Sequence, residues 1–147
     1  MNSGRQILHA LYLVIPTFWT ANCTRSALLE ASEHYLNAQK SGALQPLLTT
    51  DFTYVENNKS KELKSGVLDS SLTIAHNHTL LNALTRATYT ELVIIDTKKQ
   101  YLIGTQIHYT PDTDGALKIS LIDAIVSRTG DWQFNATKSL SYIESEN

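Results

Sequence analysis

Two hydrophobic periodicities divide the chain. After Thr24, apolar residues recur at the spacing of an amphipathic helix that Thr24 caps and Gly42 ends, and a shorter helical turn follows from Ala43 to Leu48. Farther along, apolar and polar residues alternate, which predicts strands at Phe52–Glu56, Leu72–Leu80, Leu84–Asp96, Tyr101–Thr110, Leu117–Arg128 and Trp132–Ile143. Helices followed by a long antiparallel meander predict an α+β fold, with the helices on one face of a curved sheet.

The N-terminal segment has the layout of a secretory signal peptide. Arg5 precedes an apolar run from Ile7 to Ile15, and Ala21 suits the last position before a cleavage site. The apolar run is too short to cross a bilayer, so we expect no stable membrane insertion. We therefore expect residues 1–21 to be removed and residues 22–147 to form one domain. The alternative is a short buried helix or strand at the start of that domain.

Acceptor sequences for N-linked glycans give a second indication of export. Two of the acceptor asparagines, Asn77 and Asn135, fall on the polar parity of their predicted strands, where a glycan would fit. We therefore expect a secreted glycoprotein. The predicted glycosylation sites are Asn22, Asn58, Asn77 and Asn135.

Composition narrows the class of protein. The chain has 147 residues, 42% of them hydrophobic, with 12 Lys and Arg against 14 Asp and Glu, which is typical of one compact globular domain. A net charge of −2 without a local run of cations argues against nucleic acid as a partner. The single cysteine, Cys23, excludes an intrachain disulfide framework.

Isolated polar residues on otherwise apolar strand faces are the candidates for chemistry. Asp123 shares a parity with Leu and Ile, and His76 and His78 share one with Leu and Ile on another strand. Asp123 with either histidine would form an acid–base pair near neutral pH, and Tyr54 or Tyr109 would hydrogen-bond an enolate or carbonyl oxygen. The expected catalytic set is Asp123, His76, His78 and Tyr54. The alternative is a structural role, with Asp123 paired to Lys138.

The same concave face would hold a mostly apolar ligand pocket. A metal is not expected, because His76 and His78 lack a third histidine of the same parity and His108 falls on the opposite face. No nucleotide-binding or metalloprotease motif is present, so no cofactor is expected. The predicted substrate-binding residues are Glu56, Tyr109, Thr105, Phe52, Trp132 and Phe134.

Several runs carry a resemblance to a known family: FTYVENN, ATYTELVIID, YLIGTQIHY, ISLIDAIVS and TGDWQFNATKSLSYI. With two helices and a curved sheet, the chain resembles a fungal secreted family of uncharacterised domains, similar to the SnoaL-like branch of the nuclear transport factor 2-like superfamily. The resemblance implies a cone-shaped antiparallel α+β barrel, with the N-terminal helices packed on its concave face around a hydrophobic cavity. It also implies a cofactor-free enzyme of fungal secondary metabolism. Such an enzyme would cyclise, isomerise, dehydrate or join by hetero-Diels–Alder reaction a lipophilic polyketide or terpenoid intermediate.

Two further points depend on that resemblance. A cysteine often precedes the ATYTEL run in the secreted family; Arg86 stands there in this chain, so the implied disulfide with Cys23 is absent. Sheets of this class commonly form homodimers through the outer face, and monomer and dimer both stay open. The apolar patch for such a dimer would comprise Val93, Ile95, Ile122 and Val126.

The second functional hypothesis is a secreted, non-catalytic module that binds a small molecule or a protein partner. In that case the cone is filled and its polar residues are structural. The two hypotheses differ in one geometric feature: the enzyme needs Asp123 within hydrogen-bond reach of His76 or His78, beside an open cavity.

Overall fold

The structure, a computed structural model, describes residues 23–146. Within this range, two α-helices flank a six-stranded sheet. Short 3₁₀ turns lie before the first strand and between the second and third strands. The helices and strands are α1 (Arg25–Ser41), β1 (Leu48–Glu56), β2 (Lys59–Ser60), β3 (Ile74–Asn82), β4 (Ala87–Ile95), β5 (Gln100–Pro111), β6 (Leu117–Arg128) and α2 (Ala136–Ser145).

The sheet is mixed and open, with the strand order β2-β1-β6-β5-β4-β3. β1 and β6 run parallel and the other neighbours are antiparallel. A closed sheet would need β3 to pair with the far end, but that end is the two-residue β2 and β3 pairs only with β4. The prediction of a cone-shaped antiparallel barrel of the nuclear transport factor 2-like or SnoaL-like type is therefore wrong. Alternation reports that strands exist, whereas their direction and closure depend on pairing between distant segments.

The predicted first helix is confirmed. Thr24 accepts a hydrogen bond from the Ala27 amide at 3.1 Å, and Gly42 ends the helix with φ = 74° while its amide donates to Ala38. Leu28 and Tyr35 are buried on the side of α1 that faces the sheet. The helical turn predicted after Gly42 is shorter than expected, a 3₁₀ turn over Gln45–Leu47.

The predicted strand from Trp132 to Ile143 is wrong, because most of it forms α2. Asn135 caps that helix, and its side-chain oxygen accepts from the Lys138 amide at 2.8 Å. The segment alternates and also has helical spacing, so its pattern suits either element. α2 packs against β4 and β5, on the sheet face opposite α1. The two helices thus lie on opposite faces, whereas the sequence predicts the helices on one face of a curved sheet.

Two β-bulges decide which side chains face which helix. Ile119 pairs with Tyr109 and Leu121 with His108, so Ser120 is an extra residue in β6. In β3 the register also shifts between Ile74 and His76. An extra residue reverses the parity of every later position in the strand. The predicted alignment of Asp123 with the apolar interior is therefore wrong: Ile122, Ala124 and Val126 face α1, and Asp123 lies on the other face.

The core lies between α1 and the sheet, on what we call the covered face. It is formed by apolar side chains of α1, β1, β4, β5 and β6, with Leu63, Leu68 and Leu72 from the segment before β3. Burial of these side chains supplies the main favourable term for folding. The opposite side, which α2 covers only in part, we call the outer face. Among the described residues, no helix is long and apolar enough to cross a membrane.

Candidate functional site

Some side chains that the sequence predicts to line a ligand cavity are instead packed into the core of the covered face. Thr105 is fully buried and its hydroxyl donates to the Thr90 carbonyl at 3.2 Å. The Tyr35 hydroxyl lies 3.5 Å from the Thr105 hydroxyl, to which it donates. Tyr109 is also buried, with its hydroxyl 3.4 Å from that of Thr88. Their polar groups are thus used inside the core and present no open surface to a ligand.

Burial also sets the protonation of these phenols. Loss of hydration raises the pKa of Tyr109 to about 12, although the contact with Thr88 opposes the rise. Burial likewise raises the pKa of Tyr35. Both hydroxyls therefore remain protonated at neutral pH and serve as hydrogen-bonding groups of the core.

A buried carboxylate lies at one end of the covered face. Glu56, whose side chain is 3% exposed, accepts from the Tyr54 hydroxyl at 2.6 Å, from Lys61 Nζ at 2.7 Å and from the Val67 amide at 3.0 Å. We call these four residues the Glu56 cluster. The sequence predicts a catalytic role for Tyr54 and a substrate-binding role for Glu56. In the structure these two side chains hydrogen-bond to each other, and Glu56 also bonds to the segment after β2.

The electrostatics of the Glu56 cluster favour the ionised carboxylate. Burial alone would raise the pKa of Glu56, but the hydrogen bonds from Lys61, Tyr54 and Val67 outweigh it and hold the pKa below its usual range. The pKa of Tyr54 is raised by burial and then by the neighbouring Glu56. A carboxylate that stays ionised, beside a phenol that stays protonated, suits structural pairing better than proton transfer near neutral pH.

Local backbone geometry holds the cluster in place. Asn57 and Asn58 have φ values of 52° and 62°, as the two-residue turn between β1 and β2 requires. The Asn57 side chain donates to the Val126 carbonyl at 3.0 Å and accepts from the Val126 amide at 2.8 Å, which ties this hairpin to β6. Gly66 lies against the Tyr54 ring, where a Cβ would clash with Cε1. A glycine is therefore required at this close approach.

The structure does not bring Asp123 and the two histidines together. Asp123 on β6 is half-buried on the outer face, and β5 and β4 separate it from β3, which carries His76 and His78. Three strand spacings amount to about 14 Å, well beyond hydrogen-bond reach. Among the described residues, no hydrogen bond or ion pair joins Asp123 to either histidine or to Lys138.

A groove on the outer face takes in one of these histidines. It lies between α2 and strands β3 to β6 and has a volume of about 310 Å³. Gly104 lies at its floor with Tyr89 across it, since a Cβ at Gly104 would come within 2.6 Å of the Tyr89 hydroxyl oxygen. Apolar side chains form most of the lining, together with His76 and Glu91; they include Val93, Leu102, Ile125 and Ile143. We call this site the outer groove.

The remaining predicted ligand-binding aromatic residues lie apart from one another. Phe52 is half-buried in β1, at the rim of a polar cleft of about 430 Å³ that Tyr54 also lines. Trp132 is 90% exposed in the turn before α2, and Phe134 is half-buried in the same turn. Their predicted placement on a strand of the sheet is wrong because that strand does not form.

The predicted apolar patch for a homodimer is also divided between the two faces. Ile122 and Val126 are buried against α1, whereas Val93 lines the outer groove. The bulge at Ser120 is the reason, because it reverses the parity of β6. The exposed apolar residues of the outer face are Leu80, Tyr89 and Ile125.

Three of the predicted glycosylation sites are exposed: Asn58, Asn77 and Asn135. The fourth, Asn22, lies outside the described residues, as does the predicted signal peptide over residues 1–21. Exposure is compatible with a glycan at each described site, and modification itself stays a prediction.

Cys23 is half-buried and forms no disulfide. Burial raises the pKa of its thiol, and the nearby Arg86 guanidinium partly opposes that rise. Within residues 23–146, no three His, Cys, Asp or Glu side chains are grouped to hold a metal ion.

Sequence reasoning named His76 and Val93 but missed the other residues that line the outer groove. Gly104 stands within a strongly patterned strand, a position that often marks a close approach of another group. That signal was available, but its partner Tyr89 lies on the neighbouring strand and Ile143 lies in a helix that was predicted as a strand.

Comparisons with known proteins add no functional assignment. No family model matches the chain, and no curated protein matches it. Among solved structures, it is similar to a DUF4783 family protein from Bacteroides fragilis YCH46, with a TM-score of 0.42 and 15% identity over 63% of this chain and 94% of that one. A DUF4783 family protein from Bacteroides ovatus ATCC 8483 gives a TM-score of 0.41 and 10% identity, over 61% and 89% of the two chains.

These findings correct the family resemblance stated from the sequence. No family model matches the chain, and its sheet is open and mixed instead of closed into an antiparallel cone. The prediction of a fungal secreted SnoaL-like family is therefore wrong, and the assignment to fungal secondary metabolism, which depends on that family, has no support.

Proposed function

We propose that this domain is a non-catalytic binding module that takes up a small lipophilic molecule in the outer groove. The observation that carries the proposal is the groove itself. Its volume of about 310 Å³ falls at the lower end of the range for small-molecule sites, and apolar side chains form most of its lining. His76 and Glu91 at its edge are polar groups able to orient a bound molecule.

The exposed part of the groove provides a driving force for binding. Ile125 is 54% exposed and Tyr89 is also exposed, although both belong to the sheet. Removing apolar surface from water contributes about 25 cal/mol per Å². A small apolar ligand that covers these side chains would therefore gain affinity from surface that folding leaves in contact with solvent.

The separation of the proton-transfer groups supports binding over catalysis. The enzyme hypothesis needs Asp123 within hydrogen-bond reach of His76 or His78, and two strands lie between them. The buried carboxylate of Glu56 is occupied by Tyr54, Lys61 and Val67. Neither arrangement forms the acid–base pair that the enzyme hypothesis requires.

The experiment is a fluorescence titration with N-phenyl-1-naphthylamine, an uncharged apolar probe. We expect a saturable increase at one probe per chain, and its loss in Ile125→Glu, which places a charge in the groove. Leu84→Glu is the matched control, because Leu84 is 97% exposed outside the groove. The proposal is wrong if the wild type shows no saturable signal or if both variants lose it equally. Sedimentation of the same samples reports whether a second copy, rather than the probe, covers this face.

We also propose that the domain is exported and glycosylated. The support is the exposure of Asn58, Asn77 and Asn135, each the first residue of an acceptor sequence. At Asn135, Oδ1 caps α2, which leaves the amide nitrogen outside that hydrogen bond. Expression in a secreting eukaryotic cell should yield protein in the medium whose mass falls on enzymatic deglycosylation, with one step lost in each Asn→Gln variant. Unmodified intracellular protein would contradict this.

A further inference from the structure

A second cleft gathers cations that are far apart in the sequence. It has a volume of about 280 Å³ and lies beside the Glu56 cluster. Lys64 comes from the 3₁₀ turn Leu63–Ser65, Lys99 from the turn between β4 and β5, and Arg128 from the end of β6. We call this site the basic cleft. No run of the sequence contains more than two of its cations, which is why composition and charge pattern gave no sign of it.

The charges in the basic cleft are not balanced by ion pairs. Lys61 is neutralised by Glu56 at 2.7 Å, and that contact is the single ion pair among the described residues. Lys64, Lys99 and Arg128 therefore have no carboxylate within ion-pair distance in residues 23–146. Asp69 is the other acidic residue of the lining. Three unpaired cations against one carboxylate give the cleft a positive potential, although the whole chain has a net charge of −2.

Hydrogen-bond donors accompany the charge. Tyr101 lines the cleft, and its hydroxyl has no hydrogen-bond partner among the described residues. The Ser65 and Ser70 hydroxyls donate to carbonyls of their own turns, so their lone pairs rather than their protons face other groups. The free donors are therefore the phenol, the guanidinium and the two ammonium groups of Lys64 and Lys99.

The floor of the cleft is held in place by the Glu56 cluster. The carboxylate of Glu56 accepts from the Val67 amide at 3.0 Å, and Gly66 packs on the Tyr54 ring. The segment that carries Lys64 is thus attached to β1 before any ligand arrives. A site held in position in the free protein loses less conformational entropy on binding.

We propose that the basic cleft binds a tetrahedral oxyanion, the terminal phosphate or sulfate group of a ligand. The planar guanidinium of Arg128 suits two oxygens of such a group, and lysines act on it as point charges. The phenol of Tyr101 adds a neutral donor. This site is separate from the outer groove, so the inference goes beyond the binding of a lipophilic molecule.

The test is an NMR titration of ¹⁵N-labelled protein with sodium phosphate, against sodium chloride at equal ionic strength. We expect saturable shifts at the amides of Ser65, Tyr101 and Arg128 with phosphate and none with chloride. Arg128→Gln and Lys99→Gln should each weaken binding about tenfold, the usual effect of losing one charge-assisted hydrogen bond. Lys98→Gln is the matched control: it removes the same charge from the same turn, but Lys98 does not line the cleft.

A parallel titration with sodium sulfate identifies the source, since tighter binding of phosphate points to a phosphate ester and equal or tighter binding of sulfate to a sulfate ester. Equal shifts with chloride, or equal weakening in Lys98→Gln, would overturn the proposal. Because Arg128 and Lys99 are exposed, both variants should fold, and their thermal unfolding checks this. Apolar-probe binding in Arg128→Gln reports on the outer groove independently.

Discussion

The covered face and the outer face of one sheet differ in what they do with the same residue types. Ile122 and Ile125 lie on one strand three positions apart, yet Ile122 is 0% exposed and Ile125 is 54% exposed. The covered face uses its aliphatic side chains to hold α1. The outer face leaves part of its apolar surface in water, where a ligand has access to it. The core side chains and the lining of the proposed binding groove thus lie on opposite sides of β6.

The two faces also differ in whether their polar side chains have hydrogen-bond partners within the protein. On the covered face, the carboxylate of Glu56 has three hydrogen-bond donors and the hydroxyl of Thr105 donates to a backbone carbonyl. On the outer face, Asp123 is half-buried and has no such partner among the described residues. A buried polar group must be paired because its desolvation is costly, whereas solvent serves a partly exposed one.

The largest expected effect compares the two isoleucines of β6 directly. Ile122→Ala should lower the free energy of unfolding by about 3 kcal/mol, because it leaves a cavity in a packed core. Ile125→Ala should lower it by less than about 1 kcal/mol, because solvent already contacts that side chain. Urea unfolding measures both. Similar losses for the two variants would break the distinction between the faces.

The next effect concerns the buried carboxylate. Glu56→Gln should lower the free energy of unfolding by about 2–3 kcal/mol. The neutral amide accepts hydrogen bonds from Lys61, Tyr54 and Val67 more weakly than the charged carboxylate does. Glu62→Gln, an exposed residue nearby, is the control and should be nearly neutral. Chemical denaturation checks the pair. An unchanged midpoint in Glu56→Gln would mean that the cluster contributes little to the covered face.

The same cluster predicts a pH dependence. The folded-state pKa of Glu56 lies below its usual range, so the folded chain binds this proton less readily than the unfolded chain. The stabilisation is complete above the ordinary glutamate pKa of about 4.3 and is lost as the pH falls through the lowered folded value. Between those values, wild type should lose up to about 1.4 kcal/mol per pH unit relative to Glu56→Gln. Parallel pH profiles of the two proteins, from unfolding at several pH values, would contradict the assignment.

The smallest effect sharpens the description of the outer face. Gly104→Ala should cost about 1 kcal/mol, because its Cβ would meet the Tyr89 hydroxyl oxygen at 2.6 Å and the flexible ring must move. In a Tyr89→Ala background the same change should be neutral or stabilising, because alanine is favoured over glycine inside a strand. A double-mutant cycle from thermal unfolding gives the coupling. Additive effects would show that the ring does not rest on Gly104.

Local signals account for the parts that the sequence predicted correctly. α1 begins after Thr24 and ends at Gly42, as predicted, because capping depends on neighbours within one turn. The strands of the β region were located within a few residues, since alternation is also local. The prediction for the α2 segment is wrong because its apolar pattern suits both a helix and a strand. The Asn135 cap favours the helix, but Asn135 was interpreted as an outward-facing strand position.

The candidate sites were harder to predict, because each depends on contacts between distant segments. Tyr54 and Glu56 were placed on one face, and the structure confirms that they are neighbours, but Lys61 and Val67, which complete the cluster, carry no pattern of their own. Asp123 was placed on the interior face because parity was counted through Ser120 without the bulge. One inserted residue in a strand is invisible to alternation when both faces contain apolar residues.

By itself, the sequence determined that a capped N-terminal helix precedes a set of strands, because those features follow from short-range spacing and capping. Only the tertiary structure decided that the sheet is open and mixed, that α2 forms on the outer face, and that Lys64, Lys99 and Arg128 meet in one cleft. The physical reason is that strand pairing, bulges and charge clusters arise from contacts between residues far apart in the chain. Such contacts leave no periodic signal in the segments that make them.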